Sequence, residues 1–250
     1  MQAIPSPEYF ELLRAWLHQC DGHEACISYA NNNFELPTRV IDVGKSGDEV
    51  VLRLSAELSD CSYIALSHCW GKYKLQDKQQ ICTHASNYEH RKRGFSIRDL
   101  PKTFQDAIEV TRQLRKLYLW IDSLCIIQEV EGVPDSDSTD WETESKRMEN
   151  VFASAYCTLA ASSAISSHTG FLQHRPTMAS RYIPIDDLQL YLCEDIEDFD
   201  SDVERANLNK RGWVLQERIL SRRTIHFSTK QTYFECGEGV CSEDLTFMKR

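Results

Sequence analysis

Clusters of apolar residues divide the chain into short strands and amphipathic helices. Apolar positions at helical spacing predict a helix within residues 5–28. Residues 37–43 (PTRVIDV) and 49–54 (EVVLRL) group β-branched side chains on either side of a polar turn, which predicts a β-hairpin. We expect this hairpin to cover one edge of the fold.

A strand, a helix and a second strand then follow in the order of a βαβ crossover. Residues 63–71 (YIALSHCWG) form an apolar run that ends in small and polar residues, as a buried strand entering a loop does. Apolar residues at helical spacing follow Pro101, and residues 118–128 (YLWIDSLCIIQ) predict the next strand. Such crossovers make strands parallel and gather polar side chains at their carboxyl ends, where open α/β sheets bind ligands.

The C-terminal half continues this alternation with one interruption. Residues 139–142 (TDWE) match a capping box ahead of a helix, and residues 157–164 (CTLAASSA) predict a third buried strand. Residues 169–209 are interpreted as an insertion that contains a hairpin and, at residues 194–205, an acidic exposed connector. Residues 211–221 (RGWVLQERILS) predict a short helix.

These elements predict one α/β domain with a parallel sheet flanked by helices. Residues 1–60 form an N-terminal extension of helix and hairpin. Residues 61–168 and 210–236 form the core, and residues 169–209 the inserted β-hairpin region. The last part of the core, residues 223–236, predicts a terminal hairpin or two adjacent strands.

Composition and charge exclude several classes of protein. Hydrophobic residues make up 42% of the chain and charged residues 26%, a mixture typical of a folded globular domain. The net charge of −10 argues against a nucleic-acid partner, because nucleic-acid binders carry basic surfaces. No apolar run approaches the roughly 20 residues of a membrane helix, and the N-terminus lacks a signal-peptide layout. We therefore expect a soluble, cytoplasmic protein without a membrane partner.

Ten cysteines in a chain without a secretion signal indicate reduced, mostly buried thiols rather than disulfides. The spacing of Cys20, His23 and Cys26 suits a zinc site, with structural packing as the alternative. Packing is the favoured interpretation, because no equally spaced pair of ligands lies nearby in the sequence. Cys236 and Cys241, with glycines between them, could also bind a metal, but they are interpreted as part of a turn. We accordingly predict no metal.

The sequence argues against a cysteine nucleophile and against a glycine-rich phosphate-binding loop. A nucleophilic Cys125, paired with His68 or His226, requires a thiolate and an aligned base. A cysteine within the apolar segment LCII is better interpreted as a small buried hydrophobic residue. The absence of a glycine-rich phosphate loop from the sequence argues against kinase, GTPase and hydride-transfer activities.

Three blocks of sequence together carry a family resemblance. They are YIALSHCWG at residues 63–71, the long segment LPKTFQDAIEV to CTLAASSA at residues 100–164, and RGWVLQERILSRRTIHF at residues 211–227. In order and spacing they resemble the heterokaryon incompatibility (HET) domain of filamentous fungi. The likeness covers the chain from about Pro37 onward. It implies a cell-death effector in non-self recognition.

The chain is more remotely similar to TIR domains. LSHCWG at residues 66–71 and LWIDSL at residues 119–124 resemble the ends of the first two TIR strands. GWVLQER at residues 212–218 resembles the TIR helix segment W-x-L-x-E, whose glutamate is catalytic in NAD-cleaving members; Glu217 stands at that position. The resemblance implies a TIR-like (flavodoxin-like) parallel sheet and an NAD glycohydrolase. The implied enzyme needs no cofactor, and its substrate is NAD or a related nucleotide.

The resemblance also implies a site. Glu217 is the candidate catalytic carboxylate, and Asp122 would bind a ribose hydroxyl or orient a neighbour in the same crevice. The candidates for contact with the nucleotide are Ser67, Trp70, Gly71, Arg211, Trp213 and Arg218. Each has a structural alternative: a helix or loop cap for the aspartate, core packing for the tryptophans, positive φ for the glycine, and surface ion pairs for the arginines.

Two functions of different classes follow. The first is an enzyme that depletes NAD on assembly, and the second is a non-enzymatic death-signalling module that acts by homotypic assembly. Glu217 in its W-x-L-x-E context favours the enzyme. We expect a homo-oligomer in both cases, because a death domain active as a constitutive monomer would poison its host.

Overall fold

The computed structural model describes residues 5–30, 35–72, 75–129, 139–172, 182–185, 190–193 and 199–249. Within these ranges the α-helices are α1 (Pro7–Asp21), α2 (Glu24–Ala30), α3 (Leu75–Ile81), α4 (Ala85–Arg93), α5 (Lys102–Gln113), α6 (Asp122–Cys125), α7 (Thr139–Ser145), α8 (Met148–Ser154) and α9 (Gly212–Leu220). Shorter helical turns are Ser55–Glu57, Ile97–Asp99, Asp200–Glu204 and Leu208–Lys210. None of these helices is long and apolar enough to cross a membrane.

The strands form one large sheet and one small one. They are β1 (Arg39–Asp42), β2 (Glu49–Leu54), β3 (Tyr63–Ser67), β4 (Phe95–Ser96), β5 (Tyr118–Trp120), β6 (Cys157–Ala160), β7 (Tyr182–Ile185), β8 (Leu190–Cys193), β9 (Arg223–Phe227), β10 (Thr232–Cys236), β11 (Gly239–Ser242) and β12 (Phe247–Met248). The large sheet has the order β12-β11-β10-β9-β6-β3-β5-β1-β2-β4, and β7 pairs only with β8 among the described strands.

The α/β class is confirmed, but the sheet is mixed rather than parallel. Only the central strands β9, β6, β3 and β5 run parallel to one another. The outer pairings are all antiparallel. Connectivity explains four of these pairings: a short turn joins β1 to β2, β9 to β10, β10 to β11 and β11 to β12, and a short turn reverses the chain direction. The predicted N-terminal hairpin is present as β1 and β2, and it extends the sheet through β5.

The predicted βαβ crossover is present. Strands β3 and β5 pair in parallel with Tyr63 opposite Tyr118, and α5 lies between them in the chain. Helix α5 buries one apolar face, which includes Phe104 and Ile108. It ends where Arg115 takes φ +59°, a left-handed conformation that stops the helix and turns the chain into β5.

The parallel core brings the carboxyl ends of its strands to one edge of the sheet. Strand β6 pairs with β3 on the side opposite β5, with Ser67 opposite Ala160. Strand β5 ends at Trp120, and Asp122 opens the short helix α6 directly after it. The ends of β3 and β5 therefore place Ser67 and Asp122 at the same edge, as the crossover predicts.

The prediction of an exposed connector at residues 194–205 is wrong for one face of the part that the structure describes. Phe199 and Val203 are buried and pack beside Tyr233. The carboxylate of Asp202 accepts a hydrogen bond of 3.0 Å from the Tyr233 hydroxyl. Phe199 and Val203 are four residues apart, so they share one face of a helical turn, and this face covers the sheet. The acidic residues around them dominate the composition of the run, and composition alone therefore predicts exposure.

The predicted hairpin within the insertion is present. Strands β7 and β8 pair antiparallel, with Tyr182 opposite Cys193. The predicted terminal hairpin is also present: β9 and β10 pair antiparallel, and β9 joins the parallel core through β6.

Candidate functional site

Helix α9 and strand β3 bring two of the predicted site residues together. Glu217 lies on the inner side of α9, one turn after the buried Val214. Ser67 is the last residue of β3 and is 3% exposed. Its hydroxyl donates a hydrogen bond of 2.5 Å to Oε2 of Glu217, across 150 residues of sequence. The late helix thus delivers a carboxylate to the carboxyl edge of the parallel strands.

Asp122 lies at the same edge and is held from two sides. The indole Nε1 of Trp70 donates to Oδ2 of Asp122 at 2.7 Å. The backbone N–H of Ser123 donates to Oδ1, also at 2.7 Å. Asp122 therefore accepts a backbone N–H in the first turn of α6 and also anchors the loop after β3. This hydrogen bond orients the ring of Trp70 at the same edge of the sheet.

The surroundings of Glu217 disfavour its charged form. Burial raises the pKa of Glu217 to about 7, and the negative charge of Asp122 raises it as well. The hydrogen bond from Ser67 and the positive charge of Arg211 lower the pKa but do not offset the burial. Near neutral pH this side chain is therefore divided between its acid and its carboxylate, a state typical of functional carboxyl groups.

Arg211 joins the cluster from the start of α9. It occupies the N-cap position of the helix, and its Nη1 donates a hydrogen bond of 2.5 Å to the carbonyl oxygen of His68. Its charge also lowers the pKa of the Cys69 thiol, which burial raises. The guanidinium thus supplies positive charge next to the strand end that carries Ser67.

His68 packs the loop rather than serving as a base. Its ring is buried, stacks on Trp70 at 6.4 Å and meets Phe104 edge-on at 5.0 Å between ring centroids. Burial lowers the pKa of His68, so the imidazole is neutral. Cys125, the other member of the proposed nucleophilic pair, is 1% exposed, and burial raises the pKa of its thiol to about 12. The geometry is that of a buried small side chain.

Gly71 closes the loop by a close approach of two backbone segments. It takes φ +82°, and a Cβ atom placed there would lie 2.5 Å from the Cβ of Ser166. The next residue of that second segment, Ser167, donates its N–H to the carbonyl oxygen of Trp70 at 3.3 Å. Both the conformation and the contact require glycine.

We expect Gly71→Ala to lower the free energy of unfolding by about 2 kcal/mol, because alanine is strained at positive φ and overlaps Ser166. Gly212→Ala is the matched control, since no atom lies within 4 Å of the added Cβ and alanine favours helix. Denaturant titration of the three proteins measures the difference. An equal effect of the two substitutions would contradict this account of the loop.

Two predicted nucleotide contacts are not part of this cluster. Trp213 is 64% exposed. The guanidinium of Arg218 binds the carboxylate of Glu235 at 2.7 and 2.8 Å and that of Glu204 at 2.9 and 3.1 Å. Arg218 also lines a cavity of about 520 Å³ beside Ile219. The ion-pair interpretation therefore accounts for Arg218.

A second cluster of chemically active side chains joins residues that the sequence did not connect. Cys236, at the end of β10, lies beside Cys20, His23 and Cys26, and the four ligand atoms all lie within 4.8 Å of one another. The interpretation of Cys236 as a turn residue is wrong, because the turn consists of the residues between β10 and β11. The available signal was the incomplete ligand set at residues 20–26, which lacked a fourth member.

Comparison with known proteins identifies the family. A family model described as heterokaryon incompatibility protein (HET) matches residues 63–217, more than half of the chain. The chain belongs to the HET family. Neither a curated protein nor a solved structure matches it. Membership of the HET family implies a role in heterokaryon incompatibility. The matched span begins with β3 and ends at Glu217, so the HET match contains the whole Ser67, Asp122 and Glu217 cluster.

Proposed function

We propose that this HET domain is a cell-death effector in non-self recognition that cleaves NAD, or a related nucleotide, after self-association. The bond broken is the one between nicotinamide and ribose. One observation carries the proposal: the Glu217 carboxyl group, with a pKa raised by burial, is hydrogen-bonded to Ser67 at the carboxyl edge of the parallel strands. Open α/β sheets bind ligands at this edge.

The chemistry of the reaction needs few groups. Nicotinamide is cationic in NAD and leaves as a neutral molecule, so no general acid is required. As the bond to the ribose C1′ breaks, positive charge develops on an oxocarbenium-like ribose. A carboxylate in a partly buried site stabilises that charge more strongly than it would in bulk water. Water then adds at C1′ and loses a proton, which gives ADP-ribose, nicotinamide and H⁺ from NAD⁺ and water.

The residues of the cluster take separate roles in this proposal. Glu217 stabilises the ribose cation, and Ser67 holds its carboxylate by donating to Oε2. Asp122 binds a ribose hydroxyl through the oxygen lone pairs that its two donors leave free, and it positions the Trp70 ring for stacking. Arg211 supplies positive charge for the pyrophosphate. Trp213 and Arg218 have no role in it.

A TIR-like core is part of the same proposal. Numbered along the chain, β3, β5, β6 and β9 are the first to fourth parallel strands, and their order in the sheet is second, first, third, fourth. This order agrees with the start of the flavodoxin-like order, 2-1-3-4-5. The W-x-L-x-E segment at residues 213–217 adds a sequence argument for the same assignment.

The test is direct. The purified chain is incubated with NAD at high protein concentration or with a crowding agent, and light scattering reports its assembly. We expect nicotinamide and ADP-ribose to appear in equal amounts once the protein assembles. Release that requires assembly supports the proposal. Assembly without release of nicotinamide would overturn the enzymatic part.

We expect the pH dependence of the reaction to report Glu217. Because burial raises the pKa of Glu217 to about 7, kcat/KM rises with pH through this value as the carboxylate forms. The hydrogen bond from Ser67 lowers that pKa, so Ser67→Ala shifts the rise to higher pH. Ser62→Ala, just before the other end of β3, is the control and leaves the profile in place. An unshifted profile for Ser67→Ala would be inconsistent with a catalytic Glu217.

A second candidate function is a non-enzymatic death-signalling module that acts by homotypic assembly. The exposed apolar side chains of α9 favour it, because Trp213, Leu215 and Ile219 are 64%, 60% and 69% exposed. Large apolar side chains grouped on one exposed helix are typical of association surfaces. Cell killing by a Glu217→Gln variant that still assembles would favour this function over NAD cleavage.

A further inference from the structure

Four potential metal ligands converge between the N-terminal helices and the last hairpin. Cys20 lies in the last turn of α1, His23 in the turn after it, and Cys26 in α2. Cys236 ends β10 and reaches the same point from the far end of the chain. Their ligand atoms all lie within 4.8 Å of one another.

The distances suit a tetrahedral ion. In a zinc site the sulfur atoms lie about 2.3 Å from the metal, so two of them are about 3.8 Å apart. The Sγ of Cys236 lies 3.6 Å from Nδ1 of His23, which is already close to the separation of two ligand atoms in such a site. The other pairs of ligand atoms are at most 4.8 Å apart. Shortening these distances to about 3.8 Å requires at most about 1 Å of movement, which side-chain rotation supplies.

The donor set selects zinc among the common ions. Three thiols and one imidazole form the Cys₃His combination of structural zinc sites, whereas magnesium and calcium require oxygen ligands. Cys20 and Cys26 are fully or almost fully buried, and the nine cysteines that the structure describes are all free thiols. Three thiols and an imidazole within one small volume are a poor match for apolar packing, which needs no histidine.

The surroundings compensate the charge of such a site. A zinc ion with three thiolates and a neutral imidazole carries a net charge of −1. Arg223 is 2% exposed, and both it and Arg222 lie within electrostatic reach of Cys20. Asp21, the neighbour of Cys20, pairs with Arg223 at 2.7 Å.

We propose that Cys20, His23, Cys26 and Cys236 bind one Zn²⁺ ion in a structural site. Four protein ligands complete the tetrahedral shell and leave no open position for a substrate, so the ion is structural rather than catalytic. It fastens α1 and α2 to the end of β10. These elements lie outside the residues that the HET model matches, and the ion thus closes the chain around the matched core.

The test begins with metal content. The chain is purified without a polyhistidine tag under reducing conditions, and bound metal is measured by inductively coupled plasma mass spectrometry. We expect one zinc ion per chain. Cys26→Ser and Cys236→Ser should each lose it. Cys241→Ser is the matched control, because Cys241 lies on the neighbouring strand β11 outside the cluster, and it should retain zinc.

Two further measurements keep the test decisive if the serine variants fail to fold. His23→Cys should still bind one zinc ion, because Cys₄ sites are also tetrahedral, while His23→Ala should lose it. Cobalt added to the chelator-treated wild-type chain should give the thiolate charge-transfer bands and the intense visible bands of tetrahedral Co²⁺, which added Zn²⁺ abolishes. An absence of these bands, zinc retained by Cys236→Ser, or a disulfide between two of the three cysteines in the reduced preparation would overturn the proposal.

Discussion

Glu217→Gln is expected to lower the rate of nicotinamide release by about 10²- to 10³-fold, the usual effect of removing one electrostatic stabiliser of a transition state. The amide has the size of the carboxylate, and its oxygen still accepts the hydrogen bond from Ser67. It carries no negative charge for the ribose cation. The measurement is nicotinamide formed per assembled chain, with scattering used to show that the variant assembles like the wild type.

Two companion variants make this prediction specific. Gln216→Ala changes the adjacent, exposed residue of α9 and should keep the wild-type rate. Asp122→Asn keeps an acceptor for the Trp70 indole and should lose less activity than Glu217→Gln. A Glu217→Gln protein that releases nicotinamide at the wild-type rate would remove Glu217 from the mechanism. Equal losses in Gln216→Ala and Glu217→Gln would indicate damage to α9.

The central part of the fold could be predicted because its signals are local. The β3-α5-β5 crossover is specified by an apolar run, a segment with apolar residues at helical spacing and a second apolar run. The rules for such connections then make the two strands parallel and the crossover right-handed. These rules also place Ser67 and Asp122 at one edge of the sheet without any knowledge of their contacts. The arrival of Glu217 at the same edge follows from the resemblance at residues 212–218, not from the periodicity.

The exact extent of β5 could not be predicted. Residues 118–128 are apolar almost throughout, yet only Tyr118–Trp120 form the strand, and α6 follows at once. A short buried strand and a buried helical turn present the same apolar run, because both are surrounded by core. Asp122 consequently opens a helix, and its hydrogen bond from the Ser123 N–H is compatible with the site interpretation.

The C-terminal margin of the sheet could not be predicted for a different reason. Hydrophobic patterning tells which face of a strand is buried, but not which neighbour it pairs with. Strands β11 and β12 are short and carry few β-branched residues, so residues 239–248 predict nothing from their pattern alone. The convergence of Cys236 on Cys20 depends on the same pairing of β10, which no spacing within residues 20–26 encodes.

The same Glu217→Gln change is expected to stabilise the fold in a pH-dependent manner. The ordinary pKa of the carboxyl group is 4.5, and burial raises the pKa of Glu217 to about 7. Between these values the folded chain keeps a proton that the unfolded chain has released, so the wild type loses stability as pH rises through this window. At about 1.4 kcal/mol per pH unit, reduced because the group is only partly buried, the loss is about 2 kcal/mol.

Glutamine does not titrate, so Glu217→Gln should match the wild type near pH 4.5 and exceed its free energy of unfolding by about 2 kcal/mol at pH 8. Denaturant unfolding at several pH values measures the difference between the two proteins, in which the contributions of all other titrating groups cancel.

Glu235→Gln provides a control of opposite sign. Burial opposes ionisation of Glu235, but hydrogen bonds from His226 and Arg218 hold its pKa below the ordinary value, so its carboxylate stabilises the folded state at neutral pH. Glu235→Gln should therefore be less stable than the wild type at pH 8. The deficit should shrink as pH falls through the pKa of the folded state. A Glu217→Gln protein with no gain between pH 4.5 and pH 8 would show that the Glu217 carboxyl group is well solvated, and the electrostatic argument for its catalytic role would fail with it.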